Sequence, residues 1–127
     1  MIELILWSLV LLIVQLMTPA VLALMGGQVS VAYLLSARDE SPQTSDTVLR
    51  AQRAAANLLE TLPAFLVLAI LSIMNSTDVI LLAQAWLGLR VVFFGLYLTG
   101  VAYIRTLVWI GALGCLIGMA LPLLSGG

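Results

Sequence analysis

The sequence predicts an all-α membrane protein, a four-transmembrane-helix bundle forming a single domain over residues 1–127. Three observations carry that expectation. Hydrophobic residues make up 63% of the chain and charged residues 9%, with a mean hydropathy of +1.20, well beyond the apolar share of a soluble domain. The apolar residues fall into four runs, each long enough to cross the roughly 30 Å of hydrocarbon in a bilayer. The polar residues gather in short stretches between those runs.

The first run extends from Ile2 to about Ser36, with Glu3, Gln15, Thr18, Gln28 and Ser30 among its few polar residues. A cleaved signal peptide needs a basic stretch ahead of its apolar segment, and Met1-Ile2-Glu3 supplies none, so a retained helix is expected. Pro19 should bend it, and Gly26-Gly27 forms a second weak point. Residues 37–46 are markedly polar and form an aqueous loop, with Ser41-Pro42 as a turn signal. Ser45 or Asp46 is a candidate N-cap for a second helix over about 47–74, which has Pro63 inside it. Asn75 to Asp78 make a short turn. A third helix covers about 79–101, a tight turn follows, and a fourth helix covers about 105–124. Ser125-Gly126-Gly127 should fray.

Charge narrows the function classes. The net charge is -1, with five Lys and Arg residues in all and no histidine. All five are arginines, at positions 38, 50, 53, 90 and 105. There is no basic surface to recruit nucleic acid. Arg38, Arg50 and Arg53 cluster at the first loop and Arg105 at the third, so the positive-inside rule puts those loops in the cytoplasm and both termini outside it. The one cysteine, Cys115, excludes an intrachain disulfide. It sits in an apolar run with no histidine to activate it and reads as packing. Without histidine or a cysteine pair, no metal site is expected. Gly114-x3-Gly118 and Gly88-x6-Gly95 suit close helix approach. Trp7, Trp86 and Trp109 suit interfacial anchoring.

One stretch carries chemistry: Arg50-Ala-Gln-Arg53-Ala-Ala-Ala-Asn57-Leu-Leu-Glu60-Thr-Leu-Pro63. At about 100° per residue, Arg50, Arg53, Asn57 and Glu60 fall in a stripe roughly 80° wide on one helix face. Such a stripe should face protein or water rather than lipid. Arg90 sits near the bilayer midplane on the third helix, where an isolated charge is costly, and Glu60 is the natural partner as the one deep carboxylate. Tyr97 follows Arg90 by seven residues on the same face. The Glu60–Arg90 pair could simply lock two helices together. Arg50, Arg53 and Arg105 outnumber the carboxylates available to neutralise them. Their excess suits an anionic, carboxylate-bearing ligand or a lipid headgroup. The plainer alternative is a snorkelling belt that fixes topology.

These residues resemble a known family. The pattern Arg50-x2-Arg53-x3-Asn57-x2-Glu60-x2-Pro63 is similar to the signature of the MAPEG proteins, the membrane-associated proteins in eicosanoid and glutathione metabolism. Arg90-x6-Tyr97, Arg105 at the head of the fourth helix, and Gly27-Gln28-Val29 add to the likeness, which covers essentially the whole chain. Tyr103-Ile-Arg105-Thr-Leu-Val-Trp109 looks like bacterial members, which implies a bacterial inner membrane.

The resemblance implies a homotrimer whose subunits bind glutathione, as cosubstrate, in a pocket between neighbours that opens to the cytoplasm. Arg50, Arg53, Asn57, Glu60, Arg90 and Tyr97 would hold the tripeptide. Arg105 would be the catalytic residue that stabilises the thiolate. A cation beside a thiol lowers its pKa and raises the nucleophilic fraction. The implied activity is that of a transferase or peroxidase toward lipophilic electrophiles. Ser30, Thr61 and Phe93 stand where other members carry a basic residue, a tyrosine, and a histidine or tyrosine. The alternative is a non-enzymatic membrane protein, a small transporter or a lipid-binding or scaffold unit, with a structural Glu60–Arg90 pair.

Overall fold

A computed structural model describes residues 1–27, 30–36 and 46–124. These form α1 (Ile2–Met25), the short α2 (Val31–Leu35), α3 (Asp46–Met74), α4 (Ile80–Thr99) and α5 (Tyr103–Leu124). All but α2 are long and apolar enough to cross a membrane. The expected bundle of four spans is therefore present. Arg38, Gln28, Val29, the Ser41-Pro42 turn, the candidate cap Ser45 and the residues 125–127 lie outside the described residues.

The first span is shorter than the expected 2–36. It stops at Met25, where the Gly26 and Gly27 amides donate back to the Leu22 and Leu24 carbonyls at 3.0 and 3.1 Å. Gly27 turns to φ +69°, a conformation that glycine reaches without a Cβ clash. The five residues Val31–Leu35 then form a separate turn of helix. Pro19 is accommodated within α1, as Pro63 is within α3 and Pro122 within α5. The other boundaries fall within two residues of expectation, with α3 beginning at Asp46, α4 covering Ile80–Thr99 and α5 beginning at Tyr103.

Packing follows neighbours along the chain, with α4 lying along α5 and α1 along α3, while α3 also touches α4. α3 is central. Its buried stripe is Ala51, Ala54, Ala55, Leu58, Leu62, Phe65 and Ala69, the three- and four-residue spacing of one helix face. Phe65 stacks on Trp86 with ring centroids 4.0 Å apart and planes 7° from parallel. Both are fully buried, so Trp86 is a core residue rather than the interfacial anchor its sequence position suggested. Small residues let helices close up: a Cβ on Gly118 would come within 3.0 Å of Leu82 Cδ1. Gly88, Gly95 and Gly114 meet nothing at that position.

Hydroxyls inside the spans fold back on their own helices. Ser8 donates to the Ile5 carbonyl at 2.6 Å and Ser72 to the Ala69 carbonyl at 2.7 Å. With no water in hydrocarbon, this removes an otherwise unpaired donor. Large apolar side chains such as Ile13, Val67, Val91 and Ile117 are exposed and provide the surface a lipid solvent requires.

Candidate functional site

The site lies where α3, α4 and α5 meet at the end of the bundle that carries the α4–α5 turn. That turn is set by Gly100, which adopts φ +79° just beyond α4. Its amide donates to the Tyr97 carbonyl at 3.2 Å, and the Val101 amide donates to Leu96 at 3.1 Å. This pair of bonds is the Schellman closure of a helix C-terminus. The chain reverses at once, so Tyr97 near the end of α4 and Arg105 in the first turn of α5 come side by side.

Four side chains then form a ladder. The Arg90 guanidinium lies 4.5 Å from the Phe93 ring centroid. Phe93 meets Tyr97 edge-on, with centroids 5.4 Å apart and planes at 62°. The Arg105 guanidinium lies 4.4 Å from the Tyr97 ring centroid. A cation over an aromatic face is held by the ring quadrupole, more strongly where water is excluded. Each aromatic of the ladder thus seats one arginine.

Arg90 is fully buried. Its Nη1 donates to Asn57 Oδ1 at 2.9 Å, while Nε and Nη2 are buried without a partner among the described residues. The expected Glu60–Arg90 pair is corrected here: Asn57 takes that role, and Glu60 is exposed. The reason is azimuth. Asn57 sits on the shoulder of the buried α3 stripe, whereas Glu60 is turned about 60° further from it. Arg53 shares that outward face and is also exposed.

Arg50 is half-buried against the α4–α5 turn. A Cβ placed on Gly100 would lie 3.0 Å from Arg50 Cζ, so the bare glycine makes room for the guanidinium. A cation at a helix C-terminus complements the negative end of the helix dipole.

A cavity of about 180 Å³ opens beside the ladder, lined by Asn57, Phe93, Tyr97, Arg105, Thr106 and Trp109. Of the residues expected from sequence, the structure brings Asn57, Tyr97 and Arg105 to this cavity and places Arg90 behind its wall. Arg50 packs on the turn, and Arg53 and Glu60 face outward from α3. Sequence reasoning did not assign Thr106 and Trp109 to a site. The signal was available, since Trp109 follows Arg105 by four residues and so shares its helix face. Among the described residues no group of histidine, cysteine and acidic side chains could hold a metal ion.

Among the described residues Arg105 has no carboxylate partner, so the part of the cavity they form is positively charged, with a second cation, Arg90, behind it. Such a site can bind an anion or stabilise one as it forms.

Neither a curated protein nor a solved structure matches the chain. A model of the MAPEG family matches residues 4–125, nearly the full length. Together with the four membrane-length helices, that match makes this chain an integral, multi-pass membrane protein that belongs to the MAPEG family.

Proposed function

We propose that the protein is a glutathione-dependent membrane enzyme, a transferase or peroxidase acting on lipophilic electrophiles. One observation carries the reading: Arg105, held on the Tyr97 ring, lines a cavity with no carboxylate among the described residues to neutralise it. A fixed cation at that place suits a thiolate, the form of glutathione that attacks. Asn57, Arg90 and Tyr97 support the same end of the site.

Arg53 and Glu60 complete the site from a second copy of the chain in this proposal. A polar edge exposed on a membrane-length helix is expensive against lipid. A neighbouring subunit covering it, in a homotrimer, would turn that edge toward glutathione, whose two carboxylates and one amine match an arginine and a glutamate. The arginine-bearing end would face the cytoplasm of a bacterial inner membrane, with both termini outside.

The test pairs calorimetry with steady-state kinetics on detergent-purified protein. Arg105→Ala should keep glutathione affinity within a few-fold and cut conjugation of chlorodinitrobenzene by about 10²-fold. Arg53→Ala should weaken binding first. Absence of glutathione binding by the wild type would defeat the proposal. A second reading, a proton-coupled exporter, is favoured by one feature: Glu60 makes no ion pair among the described residues. Substrate-driven proton movement in proteoliposomes, lost in Glu60→Gln, would support it instead.

A further inference from the structure

We propose that Gln15 is a positioning residue for Arg90: its side-chain carbonyl accepts from the Nε–Nη2 edge of the guanidinium and ties α1 to the candidate site. The pairing itself is independent of which anion the cavity takes; only the kinetic arm of its test rests on the glutathione reading above. Four polar or charged residues are buried among those described, Ser8, Gln15, Ser72 and Arg90. Ser8 and Ser72 donate to carbonyls of their own helices. Gln15 and Arg90 are left open, at Nε2 and Oε1 of one and Nε and Nη2 of the other. Arginine carries donors only, and glutamine carries the acceptor it lacks. A buried cation short of acceptors is destabilising in a membrane span, and so is a buried amide bonded at neither end. One contact relieves both.

The two groups occupy one layer of the bundle. Met1, Ser72 and Ile80 line a single cavity at the end away from the α4–α5 turn, which gives α1, α3 and α4 a common origin. Measured from it along each helix, Gln15 lies at about 21 Å, Phe93 at about 20 Å and Asn57 at about 22 Å. The backbone of Arg90 is nearer the origin, at about 15 Å. Its guanidinium reaches down to the Phe93 ring, 4.5 Å from the centroid, and to Asn57 Oδ1 at 2.9 Å. The charged head therefore stands in the layer of Gln15. Trp86, whose indole N–H is also unpaired, stands at about 9 Å, too far along the axis to serve the amide.

Azimuth agrees with level. α1 packs on both α3 and α4, and Gln15 belongs to its buried stripe with Ser8, Leu11 and Pro19. In the structure as it stands the Nε–Nη2 edge is open, and Arg90 rests on Asn57 and Phe93. Glutamine has three side-chain torsions and arginine four, so rotation closes the bond without moving either helix. Asn57 lines the cavity and Gln15 does not. Asn57 then grips the guanidinium from α3 while Gln15 grips another edge from α1. A planar fork held at two edges keeps one orientation, where a single bond leaves it free to turn.

The test is a stability cycle in mixed detergent micelles. Replacing an unpaired buried amide with leucine stabilises a protein, whereas removing the acceptor of a buried cation does the reverse. Gln15→Leu should therefore raise the unfolding equilibrium constant about 10-fold in the wild-type background and lower it in Arg90→Met. Gln15→Glu, which keeps the acceptor and adds a charge, should stay within a few-fold of wild type. Combined with Arg90→Met it should raise the constant about 10²-fold, since the buried carboxylate then has no cation. Gln15→Leu as stable as wild type, or Gln15→Glu equally destabilising in both backgrounds, overturns the pairing. If Gln15→Leu does not fold, the two Gln15→Glu proteins decide. In the kinetic arm, Gln15→Leu should raise the glutathione KM about 10-fold and leave kcat within a few-fold; an unchanged KM overturns the positioning role. Wild type that binds no glutathione sinks the glutathione reading and leaves the stability cycle to decide this one.

Discussion

Replacing Asn57 with leucine tests the central contact of the bundle. Arg90 makes one side-chain hydrogen bond, Nη1 to Asn57 Oδ1 at 2.9 Å, and its other nitrogens are already unpartnered among the described residues. A hydrogen bond to a charged group contributes about 1.5–3 kcal/mol. Asn57→Leu should therefore destabilise the subunit by about 2 kcal/mol, since it leaves a buried cation resting only on the Phe93 ring. Arg90→Met loses the same bond together with the ring contact but also removes the buried charge. Exchanging a buried ionic group for an apolar one of similar size is often nearly neutral, so its cost should be smaller. The double variant should then resemble Arg90→Met alone, giving a coupling of about 2 kcal/mol. Equilibrium unfolding in mixed detergent micelles, run on all four proteins, measures it. Additivity within about 0.5 kcal/mol would refute the pairing. A coupling of Arg90→Met to Glu60→Gln in place of Asn57→Leu would refute the orientation of α3 itself.

Three further outcomes are expected. Gly100→Ala should cost about 1–3 kcal/mol, because a non-glycine residue is forced to a positive φ, and its Cβ would crowd the Arg50 guanidinium at 3.0 Å; adding Arg50→Ala should relieve the crowding and leave the strain, as thermal unfolding would register. Trp86→Ala should cost about 3–5 kcal/mol through the cavity left beside Phe65, measured by the same unfolding titration. Tyr97→Phe should keep most thiol conjugation and Tyr97→Leu should lose it, because the ring face rather than the hydroxyl seats Arg105 at 4.4 Å; equal losses in the two variants would count against that seat.

The four spans were legible because crossing a bilayer imposes length and apolarity on each run. Depth along a helix was legible too, and it placed Arg90 at mid-span correctly. Azimuth was not. In a soluble helix the apolar face marks the core, but lipid is as apolar as a core, so leucines point both ways. On α3 the buried positions include Ala51, Ala54 and Ala55, which composition does not distinguish from the exposed Ala56 and Ala64. Choosing Glu60 over Asn57 for Arg90 followed charge and depth, and the missing quantity was a rotation of about 60°. Trp109 was misread for a related reason. A tryptophan near a helix end is usually an interfacial anchor, and only the turn at Gly100, by folding α5 back on α4, brings it beside Tyr97. The break at Gly26-Gly27 was visible as a weak point, but whether the helix resumes in line depends on backbone angles that composition does not specify.

The position of Arg90 also bears on how the protein enters its membrane. It stands midway along α4, ten residues from Ile80 and nine from Thr99. An arginine at that depth opposes insertion of a lone helix by about 2.5–3.5 kcal/mol. Asn57 belongs to α3, which leaves the ribosome before α4. The acceptor for the guanidinium is therefore synthesised first, and α4 can be delivered to a partner already waiting instead of to bare lipid. Chain order thus places the helix that carries the mid-span arginine after the one that carries the acceptor for its charge.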